Sequence, residues 1–284
     1  MEIVLESAQK PFRKLRKALK RLPSDPSTKV VHSLRTQTRR LEAVVDAFDL
    51  DRKKKTARLL KAVTPVRKAA GTVRDMDVLV ENVLKLADYR DDSLVRLVEH
   101  LGELRIESAR DLRHTVAGVR KDARRNLKQY ARLVGRQFGG NKNTTTTAAP
   151  APQEIIEELA NWPELGEENI HEFRIRVKQL RYMLQLSDAV DAKTIEDLSE
   201  VKDQVGDWHD WQELARIARQ VLAPKQDQAA LKRIDQIGKE KLKAALDSAN
   251  AVRRRYFSDG DGWQGAKLNG RAKLNGRKQV GVAR

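Results

Sequence analysis

Cysteine is absent from the 284 residues, so disulfides, thiol catalysis and cysteine-ligated metal are excluded. No apolar run approaches the roughly 20 residues that a membrane helix requires. The start, Met1-Glu2-Ile3-Val4, lacks the basic and apolar regions of a secretory signal. Together these absences predict a soluble, cytoplasmic protein with no membrane insertion. Aromatics make up only 5%, which leaves little material for stacking bases. Alternating β-branched runs bounded by turn residues are scarce, which argues against a sheet. No P-loop, Rossmann glycine fingerprint, zincin motif or nucleophile elbow occurs. No catalytic group can be named, so the chain reads as a non-enzyme without a cofactor or metal. Acidic residues are also in short supply: 40 Asp and Glu face 57 Lys and Arg, giving +17 and a pI near 10.1. Such a chain ordinarily meets a polyanion, whether nucleic acid, an anionic membrane or a condensed phosphate.

What the chain does contain is one pattern twice. Val31-His32-Ser33-Leu34-Arg35-Thr36-Gln37-Thr38-Arg39-Arg40-Leu41 is matched by Ile170-His171-Glu172-Phe173-Arg174-Ile175-Arg176-Val177-Lys178-Gln179-Leu180-Arg181. In each, His at i is followed by Arg at i+3, Arg or Lys at i+7 and Leu at i+9. On a helix, i, i+3 and i+7 fall within an arc of about 60°. Leu34, Leu41, Val45 and Phe48 take the opposite side in the first copy, as do Phe173, Val177, Leu180 and Leu184 in the second. The histidines therefore share a face with the cations, away from the core. One such face could be no more than solvated arginines on a core helix. Two matched copies point to anion binding, because Arg presents a planar fork of donors to phosphate and His gains charge beside an anion.

The patterning is helical almost throughout. Asp25-Pro26 offers a start for the His32 helix. Helices are expected around 53–68 and 75–87, framing a turn at Gly71, and a long fourth helix from about Asp92 to Phe138. Its stripe of Leu112, Val116, Val119, Ala123, Leu127, Tyr130 and Val134 is backed by Arg110, Arg113, His114, Lys121, Arg124, Arg125, Lys128, Arg132 and Arg136. Like charges at i,i+4 repel by a few tenths of a kcal/mol each, so an anionic partner would compensate. Lys10 to Arg21 in the first helix read the same way.

Residues 139–152 are low-complexity and nearly uncharged, a flexible linker. Helical patterning resumes at Glu154 and runs to about Phe257. The tail, 259–284, is Gly-rich and basic and is expected to be disordered. The halves correspond beyond the histidine helices: Val66 to Asp75, then Leu79, aligns with Val201 to Asp210, then Leu214. His32 to His171 spans 139 residues, and Gly71 to Gly206 spans 135. Duplication of a whole four-helix unit explains this order. The His209-Asp210 dipeptide lies opposite Arg74-Asp75, an arginine being a poor counterpart for a metal ligand. It therefore reads as structural, with the aspartate tying down basic neighbours after a glycine turn.

At these residues the chain resembles the CHAD family, the conserved histidine α-helical domain. The resemblance rests on His32, Arg35, Arg39, Arg40 and Leu41, and on His171, Arg174, Lys178, Leu180, Arg181 and Tyr182. Gly71 with Arg74-Asp75, and Gly206 with Asp210, reinforce it. It implies an all-α fold of two four-helix bundles, 1–138 and 153–258, related by a pseudo-twofold axis. It further implies non-catalytic binding of inorganic polyphosphate in a basic cavity between them. His32, Arg35, Arg39, Arg40, His171, Arg174, Lys178 and Arg181 would form the binding face, with Arg125, Lys128 and Arg132 extending the track. Glu42, where a basic residue is usual, and Gln179, opposite Arg40, make the half-sites unequal. A CYTH-type triphosphatase domain, which accompanies some members, is not expected within these residues, because its Glu-x-Glu-x-Lys signature does not occur in them. The alternatives are a nucleic-acid-binding helical protein, a polyphosphatase or phosphotransferase, and a basic protein associated with polyphosphate or storage granules.

Overall fold

In the computed structural model every regular element among the described residues is an α-helix. These residues are 5–47, 53–86, 91–139, 152–184 and 191–257. Four helices come first: α1 (Leu5–Lys20), α2 (Thr28–Ala47), α3 (Lys53–Leu86) and α4 (Asp92–Gly139). Four follow: α5 (Pro152–Ala160), α6 (Ile170–Leu184), α7 (Ala192–Val221) and α8 (Gln228–Tyr256). Residues 140–151 of the expected linker, the expected disordered tail and Phe48 lie outside the described residues, while the linker's ends, Gly139 and Pro152, are the last residue of α4 and the first of α5.

Two expectations need correction. The chain does not turn at Gly71; α3 runs unbroken through Pro65 and Gly71. Its buried positions Leu59, Val63, Val66, Ala70, Val73, Met76, Leu79 and Val83 keep helical phase across the glycine. An interior glycine costs about 1 kcal/mol. Each buried Val or Leu returns roughly 1.5–3 kcal/mol, so packing carries the helix across. Nor does α2 begin at Asp25-Pro26. The Val30 and Val31 amides donate to the Ser27 carbonyl, and helix begins at Thr28. Asp25 and the Pro26 carbonyl instead accept from Arg105 of α4, whose Nε also donates to Asp77 of α3 at 3.2 Å. One guanidinium thus pins the α1–α2 connection to two other helices.

Burial is partitioned into three clusters. Phe12, Leu15, Leu34, Leu41, Val63, Leu112 and Leu127 belong to one drawn from α1–α4. Ile156, Phe173, Val177, Val201, Trp208 and Ala249 belong to a second drawn from α5–α8. The third is mixed: Leu79, Val83, Leu94 and Leu97 of α3 and α4 pack with Trp211, Leu214, Ala218 and Ile234 of α7 and α8. Polar ties reinforce this junction. Buried Asp227, just before α8, accepts from Ser93 Oγ at 2.6 Å, from Arg96 at 2.6 Å and from the Ala223 amide at 2.7 Å. Arg233 donates to the Leu86 carbonyl at 3.0 Å. The α3–α4 and α7–α8 hairpins are therefore joined tip to tip, which brings α2, α3, α6 and α7 around one region.

Candidate anion-binding site

The apolar sides of α2 and α6 are buried as the periodicity requires: Leu34, Leu41 and Val45 in one, Phe173, Val177, Leu180 and Leu184 in the other. This fixes where the opposite faces point. His32 and His171 are exposed, and Arg35, Arg39, Arg174 and Lys178 are half-buried.

Each central arginine lies against the glycine aligned with it. A methyl added at Gly71 would stand 3.7 Å from Arg35 Nε, and one at Gly206 only 2.9 Å from Arg174 Nη2. Gly206 thus serves the close approach of a guanidinium to a helix backbone, whereas Gly71 leaves room for a methyl, and neither makes a turn. Arg174 Nε donates to the Lys202 carbonyl at 2.9 Å. Arg35 Nη2 lies 3.8 Å from Asp75 Oδ1.

The two faces meet at Lys178. Burial and the positive charges of Arg39, Arg174, Arg35 and Arg67 hold its ammonium down to about 8. Three of those four arginines come from α2 and α3, so cations from both halves converge on one amine. Its aligned counterpart is Arg39, whose Nε is buried without a hydrogen-bond partner. Beside this cluster sit the aligned carboxylates of α3 and α7. Burial, then the charge of Asp75, pushes Asp210 up to about 6, against the pull of His209 and Arg174. Asp75, with its side chain half exposed, is raised by partial desolvation, opposed chiefly by Arg35 and His209. Trp208 and Trp211 point into the cores, which turns His209 and Asp210 the other way. The His209 ring centroid is 5.4 Å from that of His171. Burial, His209 and Arg174 keep the His171 imidazole below its ordinary pKa.

Of the residues singled out from sequence, Arg35, Arg39, Arg174 and Lys178 share one electrostatic environment. His171 is coupled to Arg174 and Lys178. His32 stands 3.5 Å from Thr36 Oγ1 on the exposed side of α2, and Arg40 is exposed. Arg181 donates to Ser199 at 3.3 Å. Arg125 pairs with Asp122 at 2.7 Å, and Lys128 and Arg132 are exposed on α4. That stretch of α4 packs on α1, with Tyr130 stacked on Phe12. Three contributors were missed. Arg67, held by Glu42 at 2.8 Å, adds its charge to Lys178. Asp75 and Asp210 are more than local ties, because the charge of Asp75 on α3 reaches Asp210 on α7. The signal was the i, i+4, i+8 series Arg67-Gly71-Asp75 and Lys202-Gly206-Asp210, hidden by reading Gly71 as a break.

Glu42 accounts for one sequence departure: it is the acceptor for Arg67 and Thr64. Gln179 accounts for the other, accepting from Arg176 at 3.0 Å. No metal-binding group of His, Asp and Glu occurs among the described residues. No described helix is long and apolar enough to cross a membrane.

The family model of the CHAD domain matches residues 6–219. The chain belongs to the CHAD family. The crystal structure of the CHAD domain from the plant Ricinus communis is similar, with a TM-score of 0.60 at 16% sequence identity. The match covers 93% of this chain and 91% of that one. At that identity the likeness establishes a common CHAD fold. No curated protein matches the sequence.

Proposed function

We propose that this CHAD chain binds inorganic polyphosphate without catalysis. In this reading residues 1–138 and 153–258 form two four-helix bundles related by a pseudo-twofold axis. The ligand lies in a basic cavity between them, against His32, Arg35, Arg39, Arg40, His171, Arg174, Lys178 and Arg181. The observation that carries the reading is Lys178, an ammonium held near pKa 8 among arginines of both halves. A cluster that penalises its own protonation is stabilised by an anion arriving from outside. Linear phosphate suits it: each unit carries charge, and its oxygens accept the forked donors of arginine.

The proposal extends to a cytoplasmic or granule-associated setting and to polyphosphate as the physiological partner. The test is a calorimetric titration with long-chain polyphosphate at about 150 mM salt, where weak polyanion contacts are largely screened. Duplex DNA and single-stranded RNA run alongside, together with an Arg35→Ala/Arg174→Ala variant. The proposal expects tight polyphosphate binding that the variant weakens by about tenfold or more and nucleic acid displaces poorly. Equal binding of all three polymers, unchanged in the variant, would sink it. Metal-dependent release of phosphate would replace it with the polyphosphatase reading.

A further inference from the structure

The net charge of +17 is concentrated on one flank, away from the α2/α3/α6/α7 cluster. Residues 10–21, which are the end of α1 and the residue after it, and 110–132 of α4 hold fifteen Lys and Arg against two Asp. All fifteen are exposed except Arg124, whose Nε is buried without a hydrogen-bond partner. The two segments lie side by side and antiparallel. Gln9 donates to the Ala131 carbonyl at 3.2 Å, Phe12 stacks on Tyr130 at 5.5 Å, and Arg105 holds Asp25 at the other end.

Solubility alone does not explain this. The rest of the fold provides two internal controls. Upstream of Arg110, residues 92–109 of the same helix carry four acids and two cations. In the second half α5 holds three Glu and no cation, and α8 mixes eight cations with three acids. The fold thus tolerates mixed or acidic outer faces, while this flank accumulates like charges at i,i+3 and i,i+4 despite their mutual repulsion.

We infer that the α1/α4 flank is a second polyanion site, a sequence-independent seat for the phosphate backbone of double-stranded nucleic acid. Residues 110–132 extend about 34 Å, close to one turn of a duplex. Among the described residues the exposed large hydrophobics are Leu84, Val95, Ile106 and Ile175, none within either segment, so the flank lacks the apolar anchor of a membrane-surface helix. Its aromatics, Phe12 and Tyr130, are buried in the core, so no ring is offered to unstacked bases. What remains is an outward-facing row of cations suited to a stiff rod of fixed charge, binding by counterion release. This inference rests on different helices from the α2/α6 cluster and takes over Arg125, Lys128 and Arg132 of the expected polyphosphate track, so it can stand or fall separately from that cluster.

The experiment is fluorescence anisotropy of the full chain with a duplex of arbitrary sequence, about 20 base pairs long, between about 50 and 200 mM salt. Three variants accompany it: Lys14→Glu/Lys17→Glu on α1, Lys121→Glu/Lys128→Glu on α4, and Arg35→Ala/Arg174→Ala. All four reversed lysines are exposed, and the first two variants alter different helices, so a folding defect in one leaves the other informative. Each charge reversal is expected to weaken duplex binding by about tenfold or more and to lower the salt slope by about 2. The Arg35→Ala/Arg174→Ala variant should bind the duplex as the parent does, and single strands should bind more weakly. Unchanged binding in both reversal variants would overturn the inference, as would loss confined to Arg35→Ala/Arg174→Ala. Tighter capture by anionic phospholipid vesicles than by the duplex would overturn it in favour of a membrane surface.

Discussion

A methyl group at Gly206 would meet Arg174 Nη2 at 2.9 Å, below any ordinary contact, whereas at Gly71 the nearest atom is Arg35 Nε at 3.7 Å. The obstacle at Gly206 is the mobile end of a long side chain, so the helix can accept the methyl by displacing the guanidinium. Gly206→Ala should therefore leave thermal stability near or slightly above the parent and weaken polyphosphate affinity by roughly tenfold or less, the worth of one misplaced charge-assisted contact. Gly71→Ala should stabilise by about 0.5–1 kcal/mol through helix propensity, with affinity unchanged. Thermal melts and calorimetry read both; equal affinity losses in the two variants would contradict the packing described. Titration gives a second residue-scale expectation. An incoming polyanion favours protonated Lys178 and protonated Asp210, so affinity should fall as pH rises through about 8 and also as it rises through about 6. Lys178→Met should flatten the upper step, and Asp210→Asn the lower. A parent affinity constant between pH 5 and pH 9.5 would refute the assignment of both groups to the site.

Among the elements, α3 and α4 carry the most structural information. Arg105 of α4 reaches Asp77, Asp25 and the Pro26 carbonyl from a largely buried position. Arg105→Ala would strand the buried Asp77 carboxylate, whose Oδ2 already lacks a partner. A loss of about 2–4 kcal/mol in chemical denaturation is expected. Arg125→Ala, which breaks an exposed pair with Asp122, should cost no more than about 0.5 kcal/mol. The same helices mark what can be read from sequence. The apolar stripe of α4 is regular enough to end the helix within a residue of its observed terminus. In α3, Gly71 outweighed a phase that never broke, and the false break separated Arg67 from Asp75. The duplicated histidine faces are legible because repetition is itself a signal. The convergence of Arg39 and Arg67 on Lys178 is not, because no periodicity within a helix states which two helices will meet.

For the whole molecule, the decisive arrangement is the joining of α3–α4 to α7–α8 through the third apolar cluster and Asp227. That junction sets the cationic faces of α2 and α6 against a common region and brings Asp75 towards Asp210. It leaves the α1/α4 flank facing outward with most of the excess positive charge. A cluster of like charges is a standing cost to the fold. Because the folded-state pKa of Lys178 lies below its unfolded value, the folded protein binds fewer protons between about pH 8 and 10.5. Stability should therefore rise with pH across that window. An anionic ligand removes the same cost by restoring the proton. Lys178 thus reports on both halves and on the ligand at once. The most direct measurement is the pKa of Lys178 by NMR of the side-chain amine, without ligand and with saturating long-chain polyphosphate. The expected pKa is about 8 in the free protein, with proton affinity higher by roughly tenfold or more in the complex. An ordinary lysine pKa in the free protein, or one that polyphosphate leaves in place, would contradict it.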